Sequence, residues 1–330
     1  MPNAKYDVVG IGNAIVDVLA HAEDSFLKSH GLVKGTMSLI NSQAADKLYE
    51  EIEPTLECSG GSAANSIAAL AVLGGRGAFI GKVCDDKLGA IFRKDIAALG
   101  IVFNSTPSRY SASTARCLIL VTPDAQRTMQ TYLGACVELG PDDIDENLIA
   151  DSHITYLEGY LWDPPKAKEA FVKAAVVARK AGRKVALSLS DPLCVARHRD
   201  DFIDLVDNHV DILFANEAEI TSLYQVSNFD AALQKVRGHC EIAALTRSAK
   251  GAVLISGDEV HVLDAEPLEK VVDTTGAGDA YAAGFFYGLV NGKSIYDCGR
   301  IGAIAAAEVI GHFGARPEVS LAKLVAKKLG

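Results

Sequence analysis

The residues best placed to do chemistry lie in Asp273–Thr274–Thr275–Gly276–Ala277–Gly278–Asp279, a glycine-rich turn running into the apolar stretch Ala280–Asn291. That stretch predicts a helix. A glycine turn at a helix start is an anion site, because its backbone N–H groups point outward with the positive end of the helix dipole behind them. Glycine also lets a phosphate oxygen come close to the backbone. A carboxylate in the first turn, here Asp279, is ordinarily a partner for the helix dipole or a cap. Beside an anion nest it has a second use. Amides that stabilise developing charge, with a base that takes a hydroxyl proton, are the parts for in-line phosphoryl transfer.

Three further stretches carry groups of this kind. Gly60–Gly61–Ser62–Ala63–Ala64–Asn65 is again a glycine turn into a helix. It suits a sugar held against the backbone with Asn65 donating and accepting, and equally a tight packing turn. In Gly10–Ile11–Gly12–Asn13–Ala14–Ile15–Val16–Asp17 the carboxylate sits in an apolar run. A half-buried Asp17 needs donors, from the protein or from ligand hydroxyls. The stretch fails as a dinucleotide fingerprint, since Ile15 stands where the third glycine belongs. Asn216–Glu217–Ala218–Glu219 follows the strand-like Ile212–Ala215. There Asn216 and Glu219 either line a ligand crevice, orienting hydrated Mg²⁺ and phosphate, or simply cap a helix. Gly288–Lys293–Ser294 is no P-loop, because its glycines are one residue too close and it ends a helix.

These groups need a scaffold, and the apolar patterning supplies one. Strands are expected at Tyr6–Gly12, Thr36–Ile40, Ala78–Val83 and Arg127–Leu133, with extended character over Ile101–Val121. From residue 152 strands (Ile154–Leu157, Lys184–Leu189, Ile212–Ala215, Ile242–Thr246, Ala252–Ser256) alternate with helices (Pro165–Ala181, Arg199–Asn208, Glu217–Tyr224, Phe229–Arg237). Such alternation predicts an α/β fold: a doubly wound, mainly parallel sheet with helices on both faces. Ser42 is expected to cap a helix at Gln43–Glu51. Residues 14–42 and 108–136 break the rhythm and are read as a small β-strand lid. The remainder, 1–13, 43–107 and 137–330, forms the large domain that binds nucleotide and substrate.

With 32 basic and 42 acidic residues the net charge is −10, which argues against a nucleic-acid partner. The seven cysteines show no C-x-x-C pair and the eight histidines no metal-ligand spacing. No run approaches the ~18 apolar residues of a membrane span and no basic leader precedes an apolar one. A cytoplasmic protein with free thiols is expected, as monomer or homodimer, without membrane contact.

Taken together, DTTGAGDAYAAGFFYGL, GGSAAN and NEAE resemble, in order, the signatures of the ribokinase-like (phosphofructokinase B) family of sugar and nucleoside kinases. The resemblance runs from Gly10 to Pro317 and implies ATP as phosphoryl donor with Mg²⁺. It implies Asp279 as the base and Gly276, Ala277 and Gly278 as the anion hole. Asp17, Gly61 and Asn65 would bind acceptor hydroxyls. Asn216, Glu219, Thr246 and Gly251 would serve the nucleotide, with Mg²⁺ met by Glu219 through water. Small residues near Ala303 would leave room for adenine. Asp273 and Thr275, with backbone in Val309–Gly314, would hold a monovalent cation, K⁺ by expectation.

Within the family Asn13 four before Asp17, together with Ser62 and Asn65–Ser66, is similar to the adenosine kinase branch. Arg127 stands where that branch has a lid arginine near the transferred phosphate. Ser248 departs from the family's T-x-G-x-x-G, standing where its first glycine is. A nucleoside, adenosine first, is the expected acceptor. The alternatives are a free sugar such as ribose or fructose, or a catalytically idle sensor on the same fold.

Overall fold

Apolar runs flanked by turn residues become the strands of two sheets in the computed structural model, which describes residues 4–108, 112–124 and 126–330. The parts of the expected domain ranges at 1–3, 109–111 and 125 lie outside them. The larger sheet has eight strands. Six are parallel: β1 (Tyr6–Ile11), β5 (Gly77–Ile80), β8 (Ser152–Glu158), β9 (Lys184–Ser188), β10 (Ile212–Asn216) and β11 (Ile242–Thr246). Two antiparallel strands, β12 (Ala252–Ser256) and β13 (Glu259–Leu263), extend one edge. The order is β5-β1-β8-β9-β10-β11-β12-β13. Neighbouring residues of β1 point to opposite faces and enter different cores. Val8 belongs to the core that holds Ile67, Phe285 and Phe286, and Val9 to the core that holds Phe171 and Leu157. Both faces are therefore covered by helices, as the alternation predicts.

From β1 the chain goes to β5 on one side and later to β8 on the other. The C-terminal ends of β1 and β8 are thus the point where strand order reverses, the place where open parallel sheets leave a crevice.

The second sheet runs β3 (Met37–Leu39), β7 (Arg127–Tyr132), β6 (Ala115–Val121), β2 (Ile15–His21), β4 (Pro54–Gly60). Its last strand corrects the domain boundaries: residues 54–60, assigned to the large domain within 43–107, pair antiparallel with β2. The stretch starts on a proline and carries a glutamate, both poor strand formers, so its pairing is decided by the partner strand. Helix Ser42–Glu51 is capped by Asn41, not Ser42: the Asn41 side chain accepts from the Ala44 amide at 2.9 Å.

The chain crosses between the two sheets at two adjacent places. β1 passes into β2 through residues 12–14, and β4 passes into helix Ser62–Val72 through Gly61. Gly61 has φ +98°, and a Cβ there would stand 2.1 Å from the Asn13 carbonyl oxygen, so only glycine lets the two crossings touch. Among the described residues no helix is long and apolar enough to cross a membrane.

Candidate active site

Two helix N-termini meet above the β1–β8 crevice. Helix Ala277–Val290 starts from Gly276, whose φ is +78°. A Cβ at Gly276 would lie 2.6 Å from the Ala315 Cβ, so the turn is pressed against the following loop. A Cβ at Gly278, by contrast, would meet nothing within 4 Å. The outer face of the glycine turn is open, as an anion nest requires. Asp279 follows in the first helical turn. Its Oδ1 accepts from Ser62 Oγ at 2.6 Å and its Oδ2 from Asn65 Nδ2 at 3.3 Å. Burial raises the Asp279 pKa to about 6, against the opposing pull of those two bonds and of the Arg316 charge. Ser62 and Asn65, expected on the acceptor, are thus brought to the carboxylate itself.

Asp17 lies on β2 facing the same space. No described residue donates a hydrogen bond to it. Its pKa is also raised to about 6, chiefly by burial, with Arg316 and Arg127 working in the opposite direction. Asn13 is 3 % exposed and points elsewhere: its Nδ2 donates to Glu158 Oε1 at 2.7 Å. Glu158, at the end of β8, accepts the Ala63 amide on its other oxygen at 2.8 Å, and burial pushes its pKa up to about 7. Sequence reasoning passed over Glu158. An acidic residue closing an apolar parallel strand was the available signal.

Arg127 leaves β7 and reaches the start of the glycine turn. Its Nη1 pairs with Asp273 Oδ2 at 2.7 Å, and the guanidinium lies over the Phe313 ring, 5.2 Å from its centroid. Both side chains of the pair are under a tenth exposed. Arg127 Nε and Nη2 are buried and lack a hydrogen-bond partner. Buried donors without acceptors are rare, and an anion seated on the adjacent turn would satisfy them. Asp273 is fully engaged: Oδ1 accepts from Thr275 N and Oγ1 at 3.1 and 2.8 Å, and Oδ2 from the Gly314 amide at 3.0 Å. This loop and residues 309–314 are neighbours, since Val272 N donates to Ile310 O at 2.8 Å.

The sequence pattern that defines pfkB family carbohydrate kinases matches residues 47–321. The chain belongs to the pfkB family. A solved adenosine kinase from Sinorhizobium meliloti is 50 % identical and matches 99 % of this chain and 100 % of its own, with TM-score 0.91. A probable sugar kinase from Rhizobium etli CFN 42 is 46 % identical over 98 % of this chain and 99 % of its own, also at 0.91. Adenosine kinase 2 of Arabidopsis thaliana is 26 % identical, covering 94 % of this chain and 96 % of its own. The fold is accordingly ribokinase-like and the chain a phosphotransferase with an alcohol acceptor.

The remaining pfkB residues lie farther along the strand ends. Asn216 and Glu219 form a reciprocal helix cap. Asn216 Oδ1 accepts the Glu219 amide at 2.9 Å, and Glu219 Oε2 accepts the Asn216 amide at 2.9 Å. Asn216 Nδ2 donates to Glu219 Oε1 at 2.5 Å, and burial raises the Glu219 pKa to about 7. Thr246 ends β11 beside Asn216. Gly251 packs beneath backbone, a Cβ there falling 1.9 Å from Leu263 O. Ala303 is half-buried on helix Ile295–Val309.

Among the described residues no group of three or more His, Cys, Asp and Glu side chains draws together around a metal. A Mg²⁺ site here would therefore rest on water and substrate phosphates, as Mg²⁺ chemistry allows.

Proposed function

We propose that this pfkB kinase transfers the γ-phosphoryl group of ATP to the primary (5′) hydroxyl of a nucleoside, adenosine by preference, with Asp279 as general base. The observation that carries the chemistry is the Asp279 carboxylate, steadied by Ser62 and Asn65 at 2.6 and 3.3 Å, one residue beyond the open face of Gly278. ATP, when bound, supplies the phosphoryl group, and Mg²⁺ neutralises phosphate charge. Everything else falls to the chain. Asp279 takes the proton of the acceptor hydroxyl as its oxygen forms the new bond to phosphorus and ADP departs. The amides of Gly276, Gly278 and Asp279 donate to the anionic oxygens, while the Ala277 amide, expected in the same hole, closes the turn on the Thr274 carbonyl at 3.3 Å. Arg127 offers its unpartnered Nε and Nη2 to the same charge. Asp17, with no donor among the described residues, receives sugar hydroxyls. Glu219 meets Mg²⁺ through water, and Asp273 with Thr275 and the 309–314 backbone borders a K⁺ site. The second sheet shields the reaction from water, which otherwise competes as acceptor.

The face of the second sheet supports a nucleoside over a free sugar. Strand register places Cys58, Asp17, Cys117, Thr131 and Leu39 in one row across it. One step outward the row is Leu56, Leu19, Ile119, Met129 and Met37, wholly apolar. Leu39, Met37 and Leu56 are 59, 51 and 51 % exposed. Beyond the carboxylate that suits a ribose, an apolar row of this kind, exposed at its two edge strands and buried at Ile119 between them, fits a flat base. The adenosine kinase from Sinorhizobium meliloti, at 50 % identity, points the same way.

An ADP-release assay with ATP against adenosine, guanosine, inosine, ribose and fructose tests the proposal. Adenosine should have the highest kcat/KM. Ribose or fructose ahead of every nucleoside would select the sugar-kinase alternative, and turnover with none would select the idle sensor. Asp17→Ala should raise the adenosine KM about 10- to 100-fold, the effect of losing charge-assisted bonds to hydroxyls, with kcat lowered far less. An unchanged KM removes Asp17 from the acceptor site. A cytoplasmic location accords with this chemistry, since ATP and free thiols are maintained there.

A further inference from the structure

Arg316, in the segment after helix Ile295–Val309, drew no attention as sequence, yet its side chain enters the site. Nε donates to Asn65 Oδ1 at 2.8 Å. Nη2 donates to the Ser59 carbonyl at 2.9 Å and to Ser59 Oγ at 3.2 Å. Ser59 is the next-to-last residue of β4 and Asn65 lies in the first helical turn beyond it. One planar guanidinium therefore spans both ends of the Gly60–Gly61 turn, which carries Ser62 and Asn65 to Asp279.

The direction of the Asn65 contact matters most. An amide side chain can present either its oxygen or its NH₂ to a neighbour. Arg316 is donor only, so it demands the Asn65 oxygen and turns the NH₂ toward Asp279 Oδ2. We propose that Arg316 is a positioning residue of the reaction, clamping the β4-to-helix turn and fixing the Asn65 amide so that it steadies the Asp279 carboxylate. The proposal rests on the reading of Asp279 as base.

The charges around this clamp are mutually dependent. Burial works against the Arg316 cation, while Cys58, Asp17, Asp95 and Asp279 favour it. Asp279 faces Ser62 and Asn65 from one helix, Arg316 from the C-terminal segment, Asp17 from β2, and Tyr156, Glu158 and Tyr160 from β8 and its end. Arg316 is a positive neighbour in that set, so its removal favours the protonated form of Asp279.

The test compares Arg316→Gln, Arg316→Lys, Asn65→Ala, the Arg316→Gln/Asn65→Ala pair and Asp279→Asn. Arg316→Gln should lower kcat about 10- to 100-fold, the range expected for a charge-assisted bond that orients a reacting group. It should also move the acid limb of kcat/KM to higher pH by about one unit. Arg316→Lys keeps the limb in place but not the rate, because a lysine cannot reach Asn65 and Ser59 together. In the paired variant the costs should fall well short of multiplying, since the Arg316–Asn65 bond is common to both changes.

A wild-type rate and pH limb in Arg316→Gln, or costs that multiply in the pair, would overturn the proposal. Thermal midpoints and calorimetric adenosine binding without ATP accompany each variant. If Arg316→Gln melts too early to assay, Arg316→Lys, alone and combined with Asn65→Ala, decides by the same criteria. Substantial activity in Asp279→Asn would sink the base assignment instead. An inert Asp279→Asn beside a wild-type Arg316→Gln would sink the Arg316 proposal alone.

Discussion

Replacing Asp279 with asparagine is expected to leave about one part in 10² to 10⁴ of the wild-type kcat, the range for a lost general base, with the adenosine KM almost unmoved. Asparagine keeps the shape of the side chain, with an oxygen to accept from Asn65 Nδ2 and an NH₂ to donate to the Ser62 hydroxyl, so the site should stay assembled. What disappears is a group that can take a proton. The pH dependence supplies a second signature. Burial holds the Asp279 pKa near 6, above its ordinary carboxylate value. Only the ionised form is a base, so wild-type kcat/KM should fall as pH drops through about 6 and be level above it. In Asp279→Asn the residual kcat should lack this limb, and any limb left in kcat/KM belongs to Asp17, whose pKa is also raised to about 6. A variant that keeps more than a tenth of wild-type kcat would remove Asp279 from the role of base, and the whole mechanism with it.

The next largest effect is expected at Arg127. Arg127→Gln should lower kcat about 10²- to 10³-fold, the usual loss when one donor to a developing charge is removed. The side chain is 9 % exposed with Nε and Nη2 unpaired, and unpaired buried donors cost about 1–3 kcal/mol each. The fold accepts that arrangement if an anion completes it during turnover. Adenosine binding measured without ATP should be little changed, and the ATP KM should rise. The rival outcome is distinct. If Arg127 only fastens β7 to the Asp273 loop, the variant melts earlier while its kcat stays close to wild type.

How far the site was legible before folding depended on how local each contact is. The anion turn was readable because glycine spacing and a helix start are properties of consecutive residues, and Asp279 came with it. Asp17 was readable for a similar reason: a carboxylate in an apolar run needs an explanation. Ser62 and Asn65 were legible as polar groups on a glycine turn, but their bonds to Asp279 were not. Their distance to Asp279 is set by the packing of helix Ser62–Val72 against helix Ala277–Val290, more than 200 positions apart. Asn13 likewise turned to Glu158, 145 positions away. Asn216 and Glu219 carried two readings of equal standing, a cap and a ligand site; the structure displays the cap.

The order of strands and helices, the parallel sheet and the glycine nest at a helix start follow from the sequence by itself, because apolar period, glycine placement and helix capping act over a few residues. Tertiary structure alone decided that β4 belongs to the second sheet, that Glu158 closes the crevice, and that Arg316 returns to clamp Asn65 and Ser59. Each of these joins groups far apart in the chain. Local periodicity carries no record of such pairings; they are selected when burial leaves a charge or an edge strand with one partner that satisfies it.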